Sequence, residues 1–396
     1  LTVVEFRDEF LNVRKLAHAI AKNTIVVELN LIQSIRDRET RDSRPRSAPA
    51  HDVLHLCMEG LRHNRSIERL DLTETTIRAS GAAFVSRGLQ RHPQLKQLRL
   101  ARCLLQDEGL RRLATAPLGL QLVELDLSGN TLSDGTAILQ VVLNNPNLKK
   151  LDISNNALNT KGLEQFVGFG GFHTLEHCDL SRNNIRRDAA QSLGVALGDK
   201  NCVLKDLLLD ANEMLESTME SIALGLLTNT SLEKLSLNNN YLGDIGTIKI
   251  AVSVGTNPNS RLRDLRLSGN KIHNAGAQAL LKNAGDKIVK MDLSGNRISG
   301  GRSICKVLRQ ANTCMRKLNI SRNPIPLQHS HEIDFWMRLN ASGGRQLLAI
   351  AGDNKEGGES IAVWSKVLGR ISNHPNGLYY FLTRKPELCQ LASTMQ

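Results

Sequence analysis

Short stretches of strict alternation between apolar and polar residues recur along the chain, each followed by a longer stretch with apolar residues three and four apart. The alternating phrase is LVELDLSGN at 122–130, and it returns as LKKLDISNN at 148–156, LEKLSLNNN at 232–240, LRDLRLSGN at 262–270 and IVKMDLSGN at 288–296. Alternation over L-x-L predicts a strand with its leucines on one face and the middle residue on the other. The stretches between predict helices, because Leu139, Val142 and Leu143, then Leu193, Ala196 and Leu197, then Ile304, Val307 and Leu308 fall on one face at the i, i+3, i+4 spacing. Asp107 and Asp134 are placed to cap two of these helices.

The aligned phrases give Φ-x-x-L-x-L-x-x-N-x-Φ, whose second apolar position falls at Leu29, Leu70, Leu98, Leu125, Leu151, Cys178, Leu207, Leu235, Leu265, Met291 and Leu318. After a first step of 41 the steps are 28, 27, 26, 27, 29, 28, 30, 26 and 27 residues. An asparagine recurs where each strand ends, at Asn130, Asn156, Asn183, Asn212, Asn240, Asn270, Asn296 and Asn323, with Thr75 and Cys103 standing in earlier. Its amide is placed to satisfy backbone groups that the turn would otherwise bury unpaired. One unit cannot bury its own apolar face, so the units must stack.

This period and signature identify a leucine-rich repeat array, and a strand with a full helix in about 28 residues resembles the ribonuclease-inhibitor-like subfamily over 25–325. The resemblance implies an α/β solenoid, a horseshoe of about eleven strand-helix repeats with parallel strands on the concave face and helices on the convex face. The domain division expected is an array over 1–325, with an insertion at 35–49, and a helical C-terminal cap over 326–396. The insertion IRDRETRDSRPRSAP holds five arginines, three acids and two prolines, and reads as a solvated loop. Beyond Ile325 the aromatics concentrate, with Phe335, Trp336, Trp364, Tyr379, Tyr380 and Phe381 on segments patterned as short amphipathic helices. They suit a cover for the last open face of the stack.

Composition adds limits. The net charge is +12, and most of the excess lies between residues 51 and 323 without a dominant run. That suits acidic partners without specifying nucleic acid. The seven cysteines show no paired spacing, and Cys103 and Cys178 sit inside the repeat as buried thiols would. An intracellular and mainly cytoplasmic protein is expected, or an organellar one if a targeting segment preceded Leu1. The sequons at Asn64, Asn229, Asn319 and Asn340 are read as chance matches. No run of 18 apolar residues is present, so no membrane span is expected.

Catalytic chemistry finds no foothold, and no cofactor is implied. VGFGGFH at 167–173 is glycine-rich, but it precedes a strand and lacks the lysine of a phosphate-binding loop. His329 and His331 read as a surface-loop pair, because no cysteine or carboxylate cluster joins them at ligand spacing in the sequence.

Function is therefore sought on the concave face. The middle residue of L-x-L gives one ladder, in which Asp126, Asp152 and Asp179 form an acidic row and Leu208 follows as its one apolar rung. The residue two before it gives a parallel flanking ladder that includes Glu124, Lys150, Lys290 and Lys317, and Arg266, Lys290, Lys317 and Arg322 turn the surface basic towards the far end. Like charges on neighbouring strands cost stability unless compensated, with Lys150 expected to neutralise the row locally. Uncompensated, the row suits a basic partner segment with an apolar anchor at Leu208. The expected function is a non-enzymatic scaffold for protein partners, a subunit or assembly factor of a larger complex. Contact with RNA in a ribonucleoprotein or organellar assembly is an alternative, set back by the scarcity of aromatics in the repeats. A regulator of a small GTPase is another, since the Ran GTPase-activating proteins share this repeat type. Their acidic tail is not matched by KPELCQLASTMQ, where Glu387 is the only acid.

Overall fold

The computed structural model describes residues 3–5, 13–31, 50–310 and 314–341. They fall into two compact units divided between Glu213 and Met214. The first contains β1 (Val3–Glu5), α1 (Val13–Lys22), β2 (Glu28–Asn30), α2 (Ala50–His63), β3 (Arg69–Asp71), α3 (Arg78–Leu89), β4 (Gln97–Arg99), α4 (Gln106–Leu113), β5 (Glu124–Asp126), α5 (Gly135–Asn144), β6 (Lys150–Asp152), α6 (Thr160–Val167), β7 (His177–Asp179), α7 (Arg187–Gly198) and β8 (Asp206–Leu208). The second contains α8 (Met219–Thr228), β9 (Lys234–Ser236), α9 (Gly243–Thr256), β10 (Asp264–Arg266), α10 (Asn274–Asn283), β11 (Lys290–Asp292), α11 (Gly301–Gln310), β12 (Lys317–Asn319) and α12 (Leu327–Ala341). The insertion at 35–49 lies outside the described residues, as do the segments carrying Trp364, Tyr379, Tyr380 and Phe381.

Within each unit every strand pairs in parallel with the next in sequence, so each unit is a leucine-rich repeat solenoid. The repeat leucines stand opposite one another, Leu98 to Leu125, Leu125 to Leu151, Leu151 to Cys178 and Cys178 to Leu207. All five are almost fully buried. One strand escapes the sequence pattern. β1 pairs with β2, Val4 opposite Leu29, although Glu9 stands where the repeat would carry asparagine.

The asparagines do what an accounting of backbone groups requires. The Asn183 amide donates to the carbonyls of Ile153, Leu180 and Ser181, and its side-chain oxygen accepts from the Leu158 N–H. Asn156 and Asn130 make the same set one and two repeats earlier. Each rung thus ties its own turn to the preceding repeat. Thr75 Oγ1 reaches the Leu31 carbonyl at 3.2 Å, and Cys103 Sγ the Leu72 carbonyl at 3.1 Å, so both stand-ins reproduce part of the pattern. The residue before the rung adopts a left-handed conformation, which explains glycine in the S-G-N copies (Gly129 and Gly269, each at φ +68).

A second set of polar residues, six positions before the strand leucine, satisfies the return from helix to strand. Asn64 donates to the Ile20 carbonyl and accepts from the Ile67 N–H; Asn145 donates to the Val141 carbonyl and accepts from the Leu118 N–H. Asn64, Asn229 and Asn340 are buried, so these sequon asparagines serve the interior.

Two helix expectations are corrected. Leu139 and Val142 are buried with Ile138 and Val141, but Leu143 is 58% exposed, because the inward face of α5 runs through 138, 139, 141 and 142. Asp134 does cap α5 by accepting from the Ala137 N–H. Asp107 instead lies inside α4 and reaches the next repeat, accepting from the N–H groups of Ser133 and Asp134 and from the Ser133 hydroxyl. Partial burial raises its pKa, yet these bonds more than offset that and the carboxyl ends below its usual range. Asp244 repeats the device, accepting from the N–H groups of His273 and Gly276.

Candidate functional site

The residue between the two apolar positions of L-x-L lies on the opposite side of the strand from them, and the registers place Asp126 beside Asp152 and Asp152 beside Asp179, with Leu208 next. All four are half-buried. Each aspartate accepts at Oδ1 from the N–H of the serine two residues on, at 2.9 Å: Ser128, Ser154 and Ser181. That bond terminates the strand, which accounts for aspartate in L-D-x-S copies whatever the face binds.

Compensation differs along the face. On the flanking ladder, Arg69 pairs with Glu28 at 2.8 Å, Lys150 with Glu124 at 2.5 Å, and His177 with Asp206 at 3.3 Å. On the middle ladder Arg99 pairs with Asp71 at 3.4 Å. Lys150 was expected to neutralise the aspartate row, but its ammonium goes to Glu124 on the flanking ladder. Among the described residues no lysine or arginine closes an ion pair on Asp126, Asp152 or Asp179. Burial, with Asp152 as neighbour, raises the Asp126 carboxyl above its usual range, the Ser128 bonds working against the rise. Burial and the Asp179 charge do the same to Asp152, against the bonds from Ser154.

In the second unit Arg266 is held by Asp264 on its own strand at 3.2 Å. Lys290 stands beside Lys317 across the β11–β12 register. Both are exposed, as is Arg322 in the turn after β12. Neither lysine has an ion-pair partner among the described residues. Lys271 lies 4.4 Å from the centre of the exposed Tyr241 ring, a cation–π contact outside the strand ladders.

The thiols offer little chemistry. Cys57, Cys103, Cys178, Cys202 and Cys305 are buried and unbridged, while Cys314 is exposed. Burial pushes Cys57 and Cys103 up to about 12, and Cys178 well above its usual value with Asp179 and Asp152 adding to it. Such thiols stay protonated and unreactive. The glycine-rich 167–173 segment closes the return after α6, where Phe172 is buried edge-on against Phe166. His329 and His331 lie in the first turns of α12 rather than in a loop. The fold brings Cys305 and Glu332 to His329, an association the linear spacing concealed.

No described helix is long and apolar enough to cross a membrane. A family model for the leucine-rich repeat matches residues 144–167, 228–251 and 259–281. The chain is 29% identical over 273 residues to human NACHT, LRR and PYD domains-containing protein 14, a match covering 66% of this chain and 25% of that protein. It is 29% identical over 260 residues to the ribonuclease inhibitor of Sus scrofa, covering 63% of this chain and 57% of the inhibitor. The chain therefore spans between a quarter and a little over half of these relatives. An internalin from Listeria monocytogenes aligns with a TM-score of 0.40 at 13% identity, covering 70% of this chain and 79% of that one. The family-model match, the in-register strands, the asparagine rungs and the helix in each repeat lead to one conclusion: the chain is built of leucine-rich repeats and is similar to the ribonuclease-inhibitor type.

Proposed function

We propose that the chain is a non-enzymatic scaffold that binds protein partners through its strand faces, as a subunit or assembly factor of a larger complex. The observation that carries this reading is the row Asp126, Asp152 and Asp179, held in register with no ion pair to a lysine or arginine among the described residues, while neighbouring charges on the same face are paired. A cluster of half-buried like charges disfavours the free state and is relieved by a basic segment laid along it. Leu208 beside Asp179 supplies an apolar contact of the kind that anchors such segments. In the second unit Arg266, Lys290, Lys317 and Arg322 suit an acidic segment. The similarity to an inhibitor of ribonuclease favours a protein as the ligand, while the partner and the complex are this chain's own.

The test is capture of partners on the purified chain with and without nuclease, compared with Asp152→Lys combined with Leu208→Ala. A stoichiometric protein that survives nuclease and is lost from the double variant, at unchanged circular dichroism, supports the reading. Undiminished capture on the variant removes this row as the site, and loss of every partner after nuclease moves RNA to the front.

A further inference from the structure

The helices at the end of the described array carry a cluster that the strand face does not explain. Cys305 on α11 and His329 and Glu332 on α12 bring a sulfur, an imidazole nitrogen and a carboxylate oxygen all within 4.8 Å of one another. His329 and Glu332 are three apart on one helix, which puts them on the same face, turned towards α11. Cys305 and Glu332 are buried, and His329 is half-buried. We propose that Cys305, His329 and Glu332 form a zinc site that pins α12 against α11.

The donor set fits that ion. Zinc takes thiolate, imidazole and carboxylate at about 2.0–2.3 Å in tetrahedral geometry, which sets the ligand atoms roughly 3.5 Å apart. Side-chain rotation closes the remaining gap, and the 3.7 Å contact of the thiol with the His329 carbonyl is weak enough to exchange for a metal bond. A water would complete the tetrahedron as the fourth ligand. On binding, the Cys305 thiol releases its proton to solvent and its sulfur becomes the thiolate ligand.

The surroundings are arranged as those of a ligand set. Arg309 donates to Glu332 Oε1 at 2.6 Å and Trp336 Nε1 lies 3.4 Å from the same oxygen. The guanidinium there fixes the orientation of a carboxylate that is only 4% exposed. Gly301 matters on the other side, because a Cβ there would come within 2.5 Å of the His329 Cβ. The glycine lets the first turn of α12 approach α11 closely enough for His329 to reach Cys305.

The experiment is titration of the untagged, reduced full chain with cobalt(II) as a spectroscopic stand-in, followed by displacement with zinc. One equivalent is expected, with a thiolate-to-cobalt band in the near ultraviolet that zinc abolishes. Cys305→Ser should remove the band, and His329→Ala should weaken binding more than about tenfold, while Cys314→Ser and His331→Ala leave both unchanged. Zinc should also raise the melting temperature of the parent chain but not of His329→Ala, whose half-buried side chain can be removed with the fold retained by circular dichroism. Absence of stoichiometric binding at micromolar metal, or a band that survives Cys305→Ser, overturns the proposal.

Discussion

At the scale of single residues, the same aspartate serves the fold and burdens it. Asp152 ends β6 through its bond from the Ser154 N–H, and also stands between two like charges. Asparagine preserves the acceptor, as Asn319 shows by accepting from the Ser321 N–H at the equivalent place in β12. Asp152→Asn should therefore stabilise the chain by a few tenths of a kcal/mol, up to about 1, while weakening capture of a basic partner. Chemical denaturation beside a binding titration measures both; a loss of stability would show that the charge serves the fold. His92 sits where Asn23, Asn64 and Asn145 stand in other repeats, but both its ring nitrogens are buried and neither closes a hydrogen bond of good geometry among the described residues. Burial, with Arg65 nearby, lowers its pKa from 6.5 to about 4, the Asn64 backbone working weakly against the fall. The unfolded chain then takes up a proton that the folded chain refuses, so stability should fall as pH drops from 6.5 towards 4, by about 3 kcal/mol at most. His92→Asn should flatten that part of a melting-temperature profile.

At the scale of the repeat, the turn after each strand is held by its asparagine more than by any contact between side chains. Asn183 is fully buried and bonds two successive repeats at once. Asn183→Ala leaves the Ile153 and Leu180 carbonyls and the Leu158 N–H without these bonds, and should cost roughly 2–4 kcal/mol, because each orphaned buried group costs about 1–3. Denaturant midpoints would show it, and a cost below about 0.5 kcal/mol would mean that water replaces the amide. The repeat was readable from sequence because its period and inward positions are local. Leu143 misled because apolar character alone does not say which side of a helix meets its neighbour. Asp107 misled because a helix-starting aspartate looks the same whether it caps its own helix or the next repeat's turn.

At the scale of the whole chain, the two units present faces of opposite charge, Asp126, Asp152 and Asp179 on one and Lys290, Lys317 and Arg322 on the other. Charge reversal should separate them. Lys290→Glu with Lys317→Glu should slow association of an acidic partner and flatten its dependence on salt, leaving capture of a basic partner intact. Stopped-flow association at two ionic strengths checks this, and equal loss of both partners would mean that the substitutions disturb the fold.

The period, the inward leucines, the asparagine rungs and the in-register charge ladders follow from sequence alone, because a repeat of nearly constant length leaves each unit one way to stack on the last. Tertiary structure decided what depends on distance across the stack. It sent Lys150 to Glu124 rather than to the aspartate row, since a flanking lysine meets its own ladder's carboxylate first. It also gathered Cys305, His329 and Glu332 from two helices, a meeting set by how closely α12 approaches Gly301 and invisible in the linear spacing of the three.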